Sequence, residues 1–260
     1  MTEVNKVECI RCKATHPETL YSGDDRLCVY CKADIAEQEP QPTAPEPEPT
    51  KEETLEEKAR AELALRFLTR KRLLPFVERF NPDYQAGWVH KDICKRIEEF
   101  SRDVAEKKSP RLMLFMPPRH GKSTLASVAF PAWHLGRNPE HEFISCSYSG
   151  SLAMAFSRKV RGLLREEGFK SAFKTRLDPQ SQSAEAWLTT SGGGFVAAGV
   201  GGGITGKGAH ILVIDDPVKN RDDAESSNAR ESTWDWYTST AYTRLAPGGG
   251  ILVILTRWHD

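Results

Sequence analysis

The chain has no apolar run approaching the roughly 20 residues of a membrane-spanning helix, and its start, "MTEVNKVECIRC", lacks the apolar core of a secretion signal. It has no excess of either charge: 36 Lys and Arg balance 36 Asp and Glu, so bulk electrostatics argues neither for nor against a nucleic-acid partner. A membrane protein is therefore not expected, and a cytosolic one, with reduced thiols, is the default. Cysteine is scarce, six in 260 residues, yet four of the six fall before residue 37. In a reducing compartment, grouped cysteines suggest metal rather than disulfides.

Three zones follow one another. Residues 1–36 carry Cys9-x2-Cys12 and Cys28-x2-Cys31, separated by fifteen residues, which is the spacing of a tetrahedral four-cysteine zinc site. A module this short has few large apolar side chains, and structural zinc is what would let it fold. The motif specifies the metal and not the target of the ribbon. Cys94 and Cys146 sit in an amphipathic helix and an apolar strand and read as core thiols. Residues 37–53, "EQEPQPTAPEPEPTKEE", are rich in Pro and Glu without a large apolar residue and read as a self-repelling linker.

Residues 54–260 read as globular. "TLEEKARAELALRFLTRKRLL" opens with Thr54 and Glu57 at capping-box spacing and continues as a helix with Ala59, Leu63, Phe67 and Leu74 on one stripe. A second helix, "VHKDICKRIEEFSRDVAEK", carries Ile93, Ile97 and Phe100 on one side. Then "RLMLFM", "EFISCSY", "ILVIDD" and "GGILVILT" read as apolar strands. Between them lie a helix from Gly121 that Pro131 should bend or end, the helix "SLAMAFSRKVRGLLREE", and a polar helix "DAESSNARESTWDWYTSTAYTRL". The alternation predicts an α/β fold with a mostly parallel sheet covered by helices.

Two stretches compete as a phosphate-binding loop. "GGGITGKG" (Gly201–Gly208) has the glycines, but Gly208 replaces the hydroxyl that would meet Mg2+, and a strand follows where a helix is needed. "MPPRHGKST" has Met116 instead of the first glycine, yet it joins a strand to a helix. That context directs backbone N–H groups and a helix N-terminus at an anion. The phosphates are therefore assigned to Pro118, Arg119, His120, Gly121, Lys122, Ser123 and Thr124. Asp215 and Asp216 end the strand "ILVIDD", where α/β sheets place ligands; one acid can hold Mg2+ while the next polarises an attacking water. Thr256 and Arg257 end the last strand, as γ-phosphate sensors or as a simple strand-end turn.

These pieces, "LMLFMPPRHGKST", "PAWHLGRNPEHEFISCSYSGSLA", "GVGGGITGKGAHILVIDDPVKN" and "TRLAPGGGILVILTRWHD" in that order, resemble the ATPase half of a phage terminase large subunit. The resemblance implies an additional-strand P-loop NTPase fold that uses ATP and Mg2+. Arg119 and Lys122 would contact phosphates, Ser123 and Asp215 hold Mg2+, Asp216 serve as the catalytic carboxylate, and Thr256 couple hydrolysis to motion. Many relatives have Glu at the Asp216 position. The resemblance also implies double-stranded DNA, a portal protein and a small terminase subunit as partners of a homo-oligomeric ring, in the host cytoplasm and transiently at the procapsid portal. The family's nuclease half is not expected here, nor is nuclease activity. Lys207 reads either as a basic finger for a neighbouring subunit's nucleotide or as part of a plain glycine hairpin, with Arg158 and Arg161 as rival fingers. Two other readings stay open: another P-loop motor such as a helicase, and a non-catalytic zinc-ribbon adaptor for nucleic acid.

Overall fold

The computed structural model describes residues 6–9, 13–17, 27, 32 and 54–258. The chain divides into two compact units, Met1–Thr54 and Leu55–Asp260. In the first, β1 (Lys6–Glu8) and β2 (Thr15–Pro17) form an antiparallel pair, and Cys9 is buried between them in sequence, its amide donating to Ala14 O at 3.0 Å. Cys12, Cys28, Cys31 and the linker at 37–53 lie outside the described residues. Among the described residues no helix is long and apolar enough to cross a membrane.

The second unit is a seven-stranded sheet: β3 (Arg111–Phe115), β4 (Glu142–Ser147), β5 (Leu177–Gln182), β6 (Ala186–Thr189), β7 (Gly194–Gly199), β8 (Ala209–Asp215) and β9 (Leu245–Leu255). Their order in space is β3-β9-β8-β4-β7-β6-β5. The first five in that order run parallel, and β6 and β5 are antiparallel, so the sheet is mostly parallel. The antiparallel ribbon β5–β6–β7 has no counterpart among the expected strands. Its apolar content is thin apart from Trp187 and Phe195, which register opposite one another and stack at 5.5 Å.

The first predicted helix is two. α1 (Leu55–Lys71) stops at Arg72, whose backbone is extended, and α2 (Leu73–Phe80) begins anew. Glu98, on α3 (Trp88–Ala105), makes the break: it accepts from the α2 amide of Leu73 at 2.6 Å and pairs with Arg72 at 2.8 Å. A carboxylate there satisfies an N–H that a continuous helix would have bonded internally. The stripe on α1 is not a core stripe, because Leu63 and Phe67 are 63% and 52% exposed. α1 is held instead by charge. Arg79 of α2 donates to Glu62 at 2.8 Å, and the hydrogen bonds from Arg79 and then Arg66 bring the Glu62 carboxyl down to about 2. On α3, Ile93, Ile97 and Phe100 are buried as their spacing predicts.

The predicted helix after the Gly121 turn also differs. A wide π turn, Thr124–Ala129, comes first and passes into α4 (Phe130–Arg137). Pro131 does not end the helix. It sits in the first turn of α4, directly after the π turn, and the wide turn absorbs the change of register. α5 (Gly150–Arg165), capped by Ser149, follows β4 as expected, and α6 (Glu167–Ala172) comes after it. The polar helix is broken into α7 (Arg221–Glu225) and α8 (Ser227–Trp236), because Ser226 turns extended and caps Ala229 N, before a π turn at Tyr237–Ala241. One sheet face packs Phe130, Trp133, Phe143, Trp187 and Phe195 beneath α3, α4 and α5. The other packs Ile144, Cys146, Ile204, Leu212 and Trp236. Cys94 and Cys146 are core thiols, each pushed by burial to about 12.

At the N-terminal ends of the parallel strands three histidines line up. His134 on α4 is fully buried; its Nδ1 lies 2.7 Å from Ser101 Oγ and its Nε2 2.9 Å from His141 Nδ1. His141 stacks on His210 at 4.4 Å, with Glu140 3.9 Å from the His141 ring and Glu142 4.0 Å from the His210 ring. Burial, and then the neighbouring rings, hold His134 well below the usual histidine range and His141 below it as well. Between about pH 6.5 and the lower folded values the unfolded chain therefore binds more protons, so stability falls as the solution is acidified. Thermal unfolding followed by circular dichroism should give a midpoint that is flat above about pH 7 and falls from about pH 6.5 to 5, before carboxylates begin to protonate.

Candidate active site

β3 hands the chain to a loop at Met116, whose amide donates to Leu255 O on β9 at 3.2 Å. The loop turns sharply: Arg119 has φ 63° and Gly121 φ 77°. Glycine suits the second position because a Cβ would lie 3.0 Å from the Tyr84 hydroxyl. Arg119 holds a left-handed conformation against a cost of about 1 kcal/mol. Cross-bonds fix the turn. His120 Nδ1 lies 2.8 Å from Pro118 O, and Leu125 N donates to Gly121 O. His90 Nδ1 accepts from Gly87 N at 3.1 Å, so its Nε2 carries the proton and donates to His120 O at 3.0 Å. Tyr84 lies before, and His90 at the start of, the second predicted helix; neither carries a motif that marks it, and sequence reasoning missed both.

The side chains that follow the turn converge on the C-terminal ends of β8 and β9. Lys122 is buried, and its Nζ donates to Asp216 at 2.8 Å to Oδ1, with Oδ2 at 2.6 Å, and to Thr256 Oγ1. Thr256 N donates to the same Asp216 Oδ1 at 2.7 Å. Asp216 is itself in a left-handed conformation (φ 45°), which aspartate tolerates better than most residues, and this stitches three strands together. Its amide donates to Ile254 O on β9, and its carbonyl accepts from Tyr148 N just beyond β4.

Asp215 is buried deeper, 1% exposed, and Ser127 Oγ donates to its Oδ2 at 2.5 Å. Burial raises its pKa. Hydrogen bonds from Ser127 and Ser123 oppose that rise, Asp216 adds to it and Lys122 opposes it. Among the described residues its Oδ1 has no full hydrogen-bond partner. A buried carboxylate oxygen without a donor, beside a serine hydroxyl, is the donor set a hard divalent cation takes, so Ser123 and Asp215 fit Mg2+. Ser127, in the π turn, was also missed. On a regular helix its register with Asp215 would be different.

Thr256 and Asp216 line a cleft of about 250 Å3 with Phe115, Arg230, Arg257 and Trp258. Pro118, Arg119, His120 and Thr124 are exposed around its approach from the loop. "GGGITGKG" is elsewhere. It makes up eight of the nine residues between the end of β7 and the start of β8, pinned by the buried Ile204 in a connection that crosses β4, which lies between those strands. Gly201 and Gly206 have positive φ, and a Cβ at Gly202 would meet Gly199 O at 2.8 Å. Lys207 lies exposed two residues before β8 begins, while Asp215 ends that strand, about 20 Å from its start at the usual rise per residue. Lys122, Ser123, Asp215, Asp216 and Thr256 are thus gathered at one end of the sheet, and Lys207 is at the other. Arg158 and Arg161 lie on α5, where Arg161 donates to Ser183 O.

A search of curated proteins returns no match. Among solved structures, the large terminase of bacteriophage HK97 aligns with a TM-score of 0.43 and 14% identity. The alignment covers 72% of this chain, which spans only 38% of that protein. Residues 113–260, more than half of the chain and the part that carries every side chain gathered at the sheet end, match the profile of the T4likevirus-type terminase large subunit, N-terminal. On that match, this chain belongs to the terminase large-subunit N-terminal family.

Proposed function

We propose that this chain is a Mg2+-dependent P-loop ATPase whose turnover drives double-stranded viral DNA into a procapsid. The observation that carries this reading is the convergence of Lys122, Ser123, Asp215, Asp216 and Thr256 at the C-terminal ends of adjacent parallel strands, facing a turned strand-to-helix loop. Ser123 and Asp215 would hold Mg2+, which supplies charge neutralisation at phosphate oxygens.

Lys122 has the Asp216 carboxylate as its partner. The β- and γ-phosphates of ATP offer stronger competing acceptors, and drawing the ammonium toward them leaves Asp216 held only through Thr256 N. Released from Lys122, Asp216 can accept a proton from a water aligned with the γ-phosphate and so raise its nucleophilicity. Thr256 shares both partners, so a change at Lys122 would be felt at the end of β9 and couple turnover to motion there. The exposed Arg119 and the loop residues Pro118, His120, Gly121 and Thr124 would complete the phosphate cradle. An additional-strand P-loop fold, a homo-oligomeric ring on a portal protein, a small terminase subunit as partner, and a host-cytoplasmic site of action all belong to this proposal. So does a structural zinc on Cys9, Cys12, Cys28 and Cys31, a donor set of four thiolates that suits the metal. Lys207, far from its own chain's Asp216, belongs to it as a finger for a neighbouring subunit's nucleotide.

Three measurements test this. Phosphate release by the purified chain should require Mg2+ and fall by about a hundredfold or more in Lys122→Ala and in Asp216→Asn; turnover unchanged in Lys122→Ala would sink the ATPase reading and leave an adaptor. Mixing inactive Lys207→Ala and Lys122→Ala chains should restore measurable turnover; no recovery removes the case for action between subunits. Elemental analysis should find about one zinc per chain, lost in Cys12→Ser.

A further inference from the structure

The chain is neutral overall, but its charge is not evenly spread. At the N-terminal ends of the strands, the opposite end of the sheet from Lys122, lies an open groove of about 720 Å3. It is formed by the end of α1, the turn between α4 and β4, and the segment from α6 to Arg176. Six cations line it, Arg70, Lys71, Arg137, Lys170, Lys174 and Arg176, and no acidic side chain does.

How these cations are held matters more than their number. Arg70 donates to Ala172 O at 3.2 Å, and Arg176 donates to Phe173 O, Thr175 O and Lys170 O at 2.8 to 3.1 Å. Arg137 lies over the Trp133 ring at 4.5 Å, and Lys71 over Phe67 at 5.8 Å. Carbonyls and rings orient a cation without neutralising it. Among the described residues only Lys170 has a carboxylate within salt-bridge distance, at 2.7 Å, from Glu167, which is almost fully exposed. The groove therefore keeps its positive charge and holds several of its donors in fixed positions, which is what an anionic ligand rewards.

We infer that this groove is a second ligand site, distinct from the nucleotide site, that takes the sugar–phosphate backbone of nucleic acid. A protein partner with acidic groups fits less well. Protein interfaces centre on apolar or aromatic anchors with a polar rim. The apolar side chains Ala172 and Phe173 of the lining are buried, and its exposed residues are Arg70, Lys71, Arg137 and Lys174, so the groove presents aliphatic stems with charged heads and no aromatic anchor. Contacts of this kind position a duplex without reading its sequence. The choice of nucleic acid as the polyanion rests on the DNA-motor reading above; the site itself rests on its charge and its donors.

The test uses the full chain and a 30-base-pair duplex of arbitrary sequence, with affinity read by fluorescence anisotropy between about 50 and 200 mM salt. Lys71→Glu with Lys174→Glu reverses two exposed groove cations, and Lys58→Glu with Lys95→Glu makes the same charge change on exposed helix positions outside the groove. The groove variant should bind at least about tenfold more weakly, with a salt slope shallower by about two, while the control stays close to wild type. Its thermal midpoint and DNA-free ATP turnover should match wild type, which separates loss of the site from loss of the fold. Equal affinities and slopes in the two variants overturn the proposal. So does a groove variant that loses binding to polyglutamate while keeping its grip on the duplex, which assigns the groove to an acidic protein. If Lys122→Ala fails to abolish turnover, the ATPase reading falls while the duplex titration still decides the groove.

Discussion

A buried ammonium paired with a carboxylate organises this domain. Lys122 is out of water, and an unpaired charge there would cost several kcal/mol, so the loop after β3 can adopt its observed path only where Asp216 meets it. Asp216 meets it because β8 lies two strands away with β9 between, and because a left-handed turn at the end of β8 swings its side chain across to Thr256. The order β3-β9-β8 and this ion pair therefore depend on each other. Moving any of the three strand ends leaves either the ammonium or the carboxylate without its partner.

The same arrangement explains why two carboxylates adjacent in sequence do different things. Asp215 points into the sheet, where burial raises its pKa and two serine hydroxyls oppose the rise, and one of its oxygens waits for a donor. Asp216 points along the sheet end to a lysine and a backbone amide. The first environment suits a cation ligand and the second a group whose partner can be exchanged for phosphate. One peptide bond separates the two roles.

The sequence was most legible where the determining context is local. Strand–loop–helix around Lys122 and loop–strand around Lys207 could both be read from local pattern, and the structure puts the two lysines at opposite ends of the sheet. The pair Asp215–Asp216 was legible because it closes an apolar run. What was not legible depends on partners distant in sequence. Glu98 breaks a helix 25 residues before it, Tyr84 and His90 brace a loop 30 or more residues after them, and Leu63 and Phe67 look like core residues but face solvent because Glu62 and Arg79 set the docking of their helix. The antiparallel ribbon from β5 to β7 was missed because its strands are short and carry Gly, Ser and Pro, which obscure the alternation.

The wide turn at Thr124–Ala129 has a further consequence. A π turn holds one residue more than the α turn it replaces, and one residue of helix is about 100° of rotation. Were it to tighten, everything before it would swivel against α4, and Ser127 would turn away from Asp215. The serine–carboxylate bond and the slack in the helix thus act as a detent, fixing the angle at which the Lys122 loop is presented to the sheet.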